Sequence, residues 1–203
     1  MKDANRFYRT FRSIFKPFFL IFFPFKVHGA ENVPTDRPVV LCANHSNAAD
    51  PFLIAMSLPK DLPLRFMAKK ELMETPLLGA FLARLGVFGV DRGHSDLAAV
   101  KTAIRTLRDG SNLLVFPEGT RVKYEGEAEP KSGVVMIAVH TGAPLLPVYA
   151  GKRRKLFRKT HIIFGEPFLP ETEMRRGSAE EYRAYAEEVM RRCYALGREA
   201  EGK

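Results

Sequence analysis

Short apolar runs alternating with amphipathic helical patterns predict an α/β domain, a mixed, largely parallel sheet flanked by helices. Two observations carry this. Residues 39–43, 112–116 and 145–150 are almost continuously apolar, as strands covered on both faces are. Helical periods separate them, clearest where Leu97, Val100, Ile104 and Leu107 recur at steps of three and four. A third feature stands outside that alternation: residues 1–25 form a basic, phenylalanine-rich amphipathic segment. The predicted organisation is a helical membrane-docking segment over 1–25 and one α/β domain over 26–203.

At 203 residues the chain is long enough to bury a real core in a single domain. Its formal charge of +9 draws anions to the surface, whether nucleic acid, anionic lipid, acidic protein or a phosphorylated substrate. Nucleic acid rests on charge alone, without a recognition motif or interleaved aromatic and basic residues, so no nucleic-acid partner is expected. Cys42 and Cys193 form no metal or disulfide framework and fit a reducing, cytoplasmic setting.

Within residues 1–25, Lys2, Arg6, Arg9, Arg12 and Lys16 oppose Phe7, Phe11, Ile14, Phe15 and Phe18 on a helical wheel. That segregation suits a helix lying in a membrane interface; a terminal helix packed on its own domain is the competing reading. Pro17 is expected to kink or end it. The apolar run 18–23 is shorter than the ~20 residues a bilayer span needs, and no small-residue cleavage site follows to mark a signal peptide.

Residues 26–29 then predict a short strand and 33–38 a turn-rich loop. Val39 opens a buried strand, and Asp50-Pro51 starts a helix through Met56. Residues 64–68 predict a strand, 71–85 one helix carrying Leu72, Leu78, Phe81, Leu82 and Leu85, and 87–90 a strand. Ser95-Asp96 caps the helix of Leu97 to Leu107, and Gly110 stops it. A strand over 112–116, a helix over 134–140 ending near Gly142, strands over 145–150 and 160–164, and a charged helix over 180–196 complete the chain.

Asn44-His45-Ser46-Asn47-Ala48-Ala49-Asp50 places a histidine at the carboxyl end of a strand and an aspartate at the mouth of a helix. On one continuous helix, residues five apart diverge by roughly 140° and do not meet. Across a turn, Asp50 can fold back and accept from one imidazole nitrogen, leaving the other as a proton acceptor. A helix-capping aspartate beside a loop histidine is the competing reading. Cys42 points to the opposite face of the strand, which disfavours a Cys-His nucleophile pair. Two further loops leave strand ends with polar residues: Asp91-Arg92 and Glu118-Gly119-Thr120-Arg121. The carboxyl edge of an α/β sheet is where ligands bind, arginine grips phosphate bidentately, and Gly119 permits close backbone approach. No cluster has metal-ligand spacing, and no metal is called for.

Taken together, these residues resemble the 1-acyl-glycerol-3-phosphate acyltransferases of glycerolipid synthesis. His45-x4-Asp50 matches that family's first motif. Gly86-Val87-Phe88-Gly89-Val90-Asp91-Arg92 is similar to the second, with Gly89 standing where similar sequences often carry proline or a larger apolar residue. Phe116-Pro117-Glu118-Gly119-Thr120-Arg121 matches the third, and Leu145-Leu146-Pro147-Val148 is similar to the fourth. Order and spacing agree across 39–150, and Met67-Ala68-Lys69-Lys70-Glu71-Leu72 is typical of bacterial members.

The resemblance implies a glycerol-3-phosphate acyltransferase-like fold. It implies transfer of a fatty acyl group from acyl-CoA or acyl carrier protein to the sn-2 hydroxyl of lysophosphatidic acid, with no cofactor beyond that co-substrate. His45 would be the general base and Asp50 its orienter, with Glu118 ordering its loop or contributing to catalysis. Gly119, Thr120 and Arg121 would form the glycerol-phosphate site, with Arg92 and Lys69 (or equally Lys70) as further phosphate contacts. A peripheral or monotopic position on the cytoplasmic face of the cell membrane, against membrane lipids, is also implied. The basic residues Lys152-Arg153-Arg154-Lys155, Arg158 and Lys159 would meet coenzyme A phosphates, an acidic carrier protein or lipid head groups; a solvated loop is the competing reading. The alternative functions are acylation of a different lyso-lipid and lipid binding without turnover.

Overall fold

Five parallel strands carry the candidate loops at one edge of a seven-stranded sheet. The structure is a computed structural model, and it describes residues 2–59, 61–91, 96–151, 157, 159–170 and 177–201. The elements are α1 (Lys2–Phe22), β1 (Phe25–His28), β2 (Val40–Ala43), α2 (Asp50–Ser57), β3 (Leu64–Lys69), α3 (Lys70–Glu74) and α4 (Leu78–Arg84). There follow β4 (Val87–Val90), α5 (Leu97–Arg108), β5 (Asn112–Val115), α6 (Gly133–Thr141), β6 (Leu145–Ala150), β7 (Thr160–Phe164) and α7 (Ala179–Glu201). The sheet order is β1-β7-β6-β2-β5-β3-β4. Only the β6–β7 pair is antiparallel among these pairs, so the predicted mixed, largely parallel sheet is what forms.

Strand periodicity divides the core. Val40, Cys42, Leu113, Val115 and Leu145 face one side, where Ala103, Leu107, Val135, Ala138, Val189 and Cys193 of α5, α6 and α7 cover them. Val39, Leu41, Ala43, Leu114, Leu146 and Val148 face the other, beneath Tyr8 of α1 and Leu53 and Ile54 of α2. Both faces are buried, which is why these strands read as continuous apolar runs.

The structure departs from the sequence reading in three places. Helix α1 continues to Phe22, so Pro17 does not end it. Residues on both sides of the proline, Tyr8 and Phe19, pack on the same domain surface, and Phe19 stacks on Phe52 of α2. Tertiary packing thus overrides a local cost. Secondly, the helix expected over 71–85 is two helices. Pro76 disfavours helical backbone at Thr75, which is extended at ψ 122°. Leu77 then takes φ 62° and ψ −49°, and Leu78 N–H donates to the Pro76 carbonyl at 2.7 Å. This is the rare γ-turn of positive φ, a strain on the order of 1–3 kcal/mol for a non-glycine residue. Thirdly, α5 is rotated. Ala99, Ala103 and Leu107 face inward while Leu97 is 63% exposed. Asp96 caps α5 as expected, accepting from Ala99 N–H at 2.8 Å.

Arg12, expected on the cationic face of α1, is buried. Its guanidinium donates to the carbonyls of Pro59 (2.7 Å), Met56 (3.2 Å) and Leu58. Those carbonyls end α2 and carry the negative pole of its dipole, so a buried cation there is compensated. Replacing Arg12 by methionine keeps the apolar stem and strips the donors. Arg12→Met is expected to lower unfolding free energy by about 2–4 kcal/mol, measured by urea denaturation.

Candidate active site

Asn44 ends β2, and its side-chain amide imitates a strand backbone. It donates to the Ala150 carbonyl at 3.0 Å and accepts from Ala150 N–H at 2.7 Å, locking the carboxyl ends of β2 and β6 together. The chain then leaves the sheet, and His45 is the first residue off it. Asp50 folds back across the turn as predicted. Its Oδ2 lies 3.0 Å from His45 Nδ1 and accepts from Ser46 N–H and Asn47 N–H, each at 2.7 Å. Asn47 Oδ1 accepts from Ala49 N–H at 2.9 Å, which tightens the same turn. Asp50 is fully buried while the His45 side chain keeps 14% of its surface. With Nδ1–H donating to the Asp50 carboxylate, the basic lone pair of the imidazole is on Nε2.

The loop after β5 supports His45 from the other side. Glu118 Oε2 accepts His45 N–H at 2.7 Å, and Val122 N–H donates to the His45 carbonyl at 2.8 Å. The Phe116 ring stacks on the imidazole at 4.1 Å between centroids. The other carboxylate oxygen of Glu118, Oε1, accepts from the hydroxyl of Tyr194 on α7. Burial first, then that hydrogen bond and the Glu118 charge, push the Tyr194 pKa far up, so the hydroxyl stays a donor. The buried Glu118 carboxylate therefore faces backbone and a phenol, in a positioning arrangement. Burial likewise pushes the Cys42 thiol up, and Cys42 lies on the α7 side of the sheet, where Cys193 Sγ donates to its carbonyl. Phe116, which stacks on His45, packs on the other side, so Cys42 faces away from His45 as the strand alternation predicts.

Past Glu118 the chain turns outward. Gly119 has φ 67°, and a Cβ there would sit 3.6 Å from Lys131 Cγ. Lys131 is held by its own N–H, which donates to Pro117 at 2.7 Å. Thr120 and Arg121 are exposed on this loop. Lys69 stands at the carboxyl end of β3 in an exposed pair with Glu71 at 2.9 Å, and Lys70 starts α3. Strand order fixes the distances: β5 adjoins β2, β3 is the next strand out and β4 the third, about 5, 10 and 14 Å along the hydrogen-bonding direction. Arg121 is thus on the strand loop beside His45, and Lys69 is one strand farther. Asp91, after β4, is farther still and anchored by its N–H to Asp96 Oδ2 at 2.9 Å. Arg92 lies outside the described residues, as do Lys152 to Lys155 and Arg158. Gly89 has a packing reason: a Cβ there would press on Lys70 Cα and Met73 Cγ at 3.3 Å, so glycine lets α3 lie close on β4.

The sequence-predicted residues His45, Asp50 and Glu118 meet, and Gly119, Thr120 and Arg121 follow on the adjoining loop. Sequence reasoning missed Tyr194, Lys131 and the stacking role of Phe116. Only Asn44 gave a signal, a polar residue closing an apolar strand. A histidine with one nitrogen held by a buried carboxylate and the other basic, at an exposed sheet edge, can withdraw a proton from a substrate hydroxyl.

The acyltransferase family model matches residues 24–151. Across 84% of this chain and 87% of its own length, the 1-acyl-sn-glycerol-3-phosphate acyltransferase of Bacillus subtilis is 33% identical. The corresponding Borreliella burgdorferi enzyme is 34% identical over 68% of this chain and 55% of itself. The crystal structure of the 1-acyl-sn-glycerophosphate acyltransferase PlsC from Thermotoga maritima superposes with a TM-score of 0.65 at 32% identity, covering 93% of this chain and 77% of that one. Motifs, sheet order and relatives agree, and the chain belongs to the acyltransferase family.

Proposed function

We propose that this enzyme acylates the sn-2 hydroxyl of lysophosphatidic acid with an acyl thioester, giving phosphatidic acid. The observation that carries the reading is the His45–Asp50 pair, with Oδ2 of the buried carboxylate engaged by the imidazole and by Ser46 and Asn47 N–H. His45 Nε2 takes the hydroxyl proton as that oxygen attacks the thioester carbonyl. Asp50 stabilises the imidazolium, which returns the proton to the departing thiolate when the tetrahedral intermediate collapses. No acyl-enzyme is needed. The acceptor phosphate is bound by Arg121, with Gly119 allowing the backbone close and Thr120 beside it; Lys69 and Arg92 are further phosphate contacts. Glu118 acts by positioning. The donor is acyl-CoA or acyl carrier protein.

The amphipathic α1 docks on the cytoplasmic face of the cell membrane, where substrate and product reside. No described helix is long and apolar enough to cross a membrane. Ile14, Phe15, Phe18 and Ile21 are between 40% and 65% exposed on α1, a cost in water that burial in lipid removes.

Three outcomes test this. In vesicles containing lysophosphatidic acid and a labelled acyl thioester, His45→Ala is expected to reduce phosphatidic acid formation by about 10²–10⁴-fold while lipid binding persists. Lipid binding without turnover in the wild type would favour a non-catalytic binder. Arg121→Ala is expected to raise KM for lysophosphatidic acid about tenfold, on the order of one charge-assisted contact. Against a monoacylglycerol, which lacks the phosphate, wild type and variant should converge. Tyr194→Phe should lower kcat with KM unchanged and cost about 1–2 kcal/mol of stability, because buried Glu118 loses a donor.

A further inference from the structure

Beyond α1, the main cluster of exposed large apolar side chains among the described residues is on the short α3–α4 hairpin. Leu72, Leu77, Leu78 and Phe81 are 45%, 88%, 41% and 36% exposed within ten residues of chain. Leu77 is the extreme case, since the most exposed of these leucines is also the one held in the strained γ-turn. Glycine would occupy that turn without strain, and a polar side chain would suit water better. A strained backbone that presents an apolar side chain outward points to a surface that receives it.

The hairpin is closely packed and joined to α1. A Cβ on Gly79 would fall 1.9 Å from the Met73 carbonyl oxygen, so α4 lies directly against the end of α3. Phe81 meets Phe7 and Phe11 edge-on at 6.2 and 5.5 Å, and Phe11 stacks on Phe15 at 4.3 Å. One apolar surface therefore runs from Leu77 through Phe81 to the exposed face of α1. Cations flank it: Lys69 and Lys70 at the base of the hairpin, and Arg84 at its end, 5.2 Å over the Phe7 ring. Apolar tips rimmed by long basic side chains match a bilayer with anionic head groups.

We propose that the α3–α4 hairpin, with Leu77 at its tip, is a second membrane-inserting element that enters an anionic lipid surface together with α1. The inference rests on the membrane-docked reading above. Because the hairpin begins where β3 ends, its insertion holds the carboxyl edge of the sheet, with His45, against the lipid interface. Two insertion points fix orientation where a single helix leaves a rotation about its axis.

The chain has no tryptophan, so one introduced at position 77 is a sole reporter. In vesicles of phosphatidylglycerol and phosphatidylethanolamine, Leu77→Trp should show a blue-shifted emission quenched by brominated acyl chains. A His140→Trp control on α6, behind the opposite sheet face, should not. Leu77→Asp should weaken vesicle partition by about 10- to 100-fold, the range expected for one buried leucine. It should leave turnover of a short-chain, monomeric lyso acceptor unchanged in the absence of vesicles. Leu77→Gly should weaken partition while raising the urea midpoint, which separates lipid insertion from folding. An unshifted Leu77→Trp spectrum on vesicles that do bind the protein would overturn the proposal and leave α1 docking intact. A concentration-dependent shift without vesicles, with dimers in sedimentation, would overturn it in favour of a second copy. Wild type that fails to bind vesicles would remove the membrane reading as well.

Discussion

One oxygen atom organises the functional edge of this protein. Oδ2 of Asp50 receives the His45 imidazole and the N–H groups of Ser46 and Asn47. A buried carboxylate in an apolar interior is tolerated only when its charge is met by donors, and these three come from the turn it closes. The turn, the first turn of α2 and the histidine tautomer are therefore one structural decision. The same carboxylate starts the helix whose far end is capped by Arg12, so α2 is charged favourably at both poles.

A second layer holds the first in place. Asn44 fastens the end of β2 to β6, and Glu118 fastens the backbone of His45 to the β5 loop and, through Tyr194, to α7. His45 is thus held from its own strand, both neighbouring strands and the closing helix. Under the proposed mechanism this is preorganisation for proton transfer, since His45 is oriented before substrate arrives and little rearrangement remains for the reaction itself.

How much of this was legible in the sequence follows from the range of the interactions. The strands were readable because burial on both faces writes an apolar run, and the His45–Asp50 turn because its partners lie five residues apart. The break at Pro76 was also written locally, yet the apolar period of Leu72, Leu78, Phe81 and Leu82 masked it. Tyr194 and Arg12 were not readable. Tyr194 sits 76 positions from Glu118, and Arg12 some 44 to 47 from the carbonyls it binds, among residues whose helical wheel assigns them to solvent. A wheel reports which side of a helix is polar, and cannot say that a neighbour's carbonyl groups await one of its cations.

That last contact bears on how the protein can be handled. An amphipathic leading helix invites removal, to leave a catalytic core free of lipid. In this fold α1 supplies buried Tyr8, the cap on α2 and the Phe19–Phe52 stack, while its outer side carries the exposed phenylalanines. Trimming it would open the core beneath α2 together with the proposed lipid-facing surface. The proposed lipid-facing side and the side that supports the site around His45 are opposite sides of the same helix, so a form that sheds the exposed apolar face must come from changing its outward residues one by one.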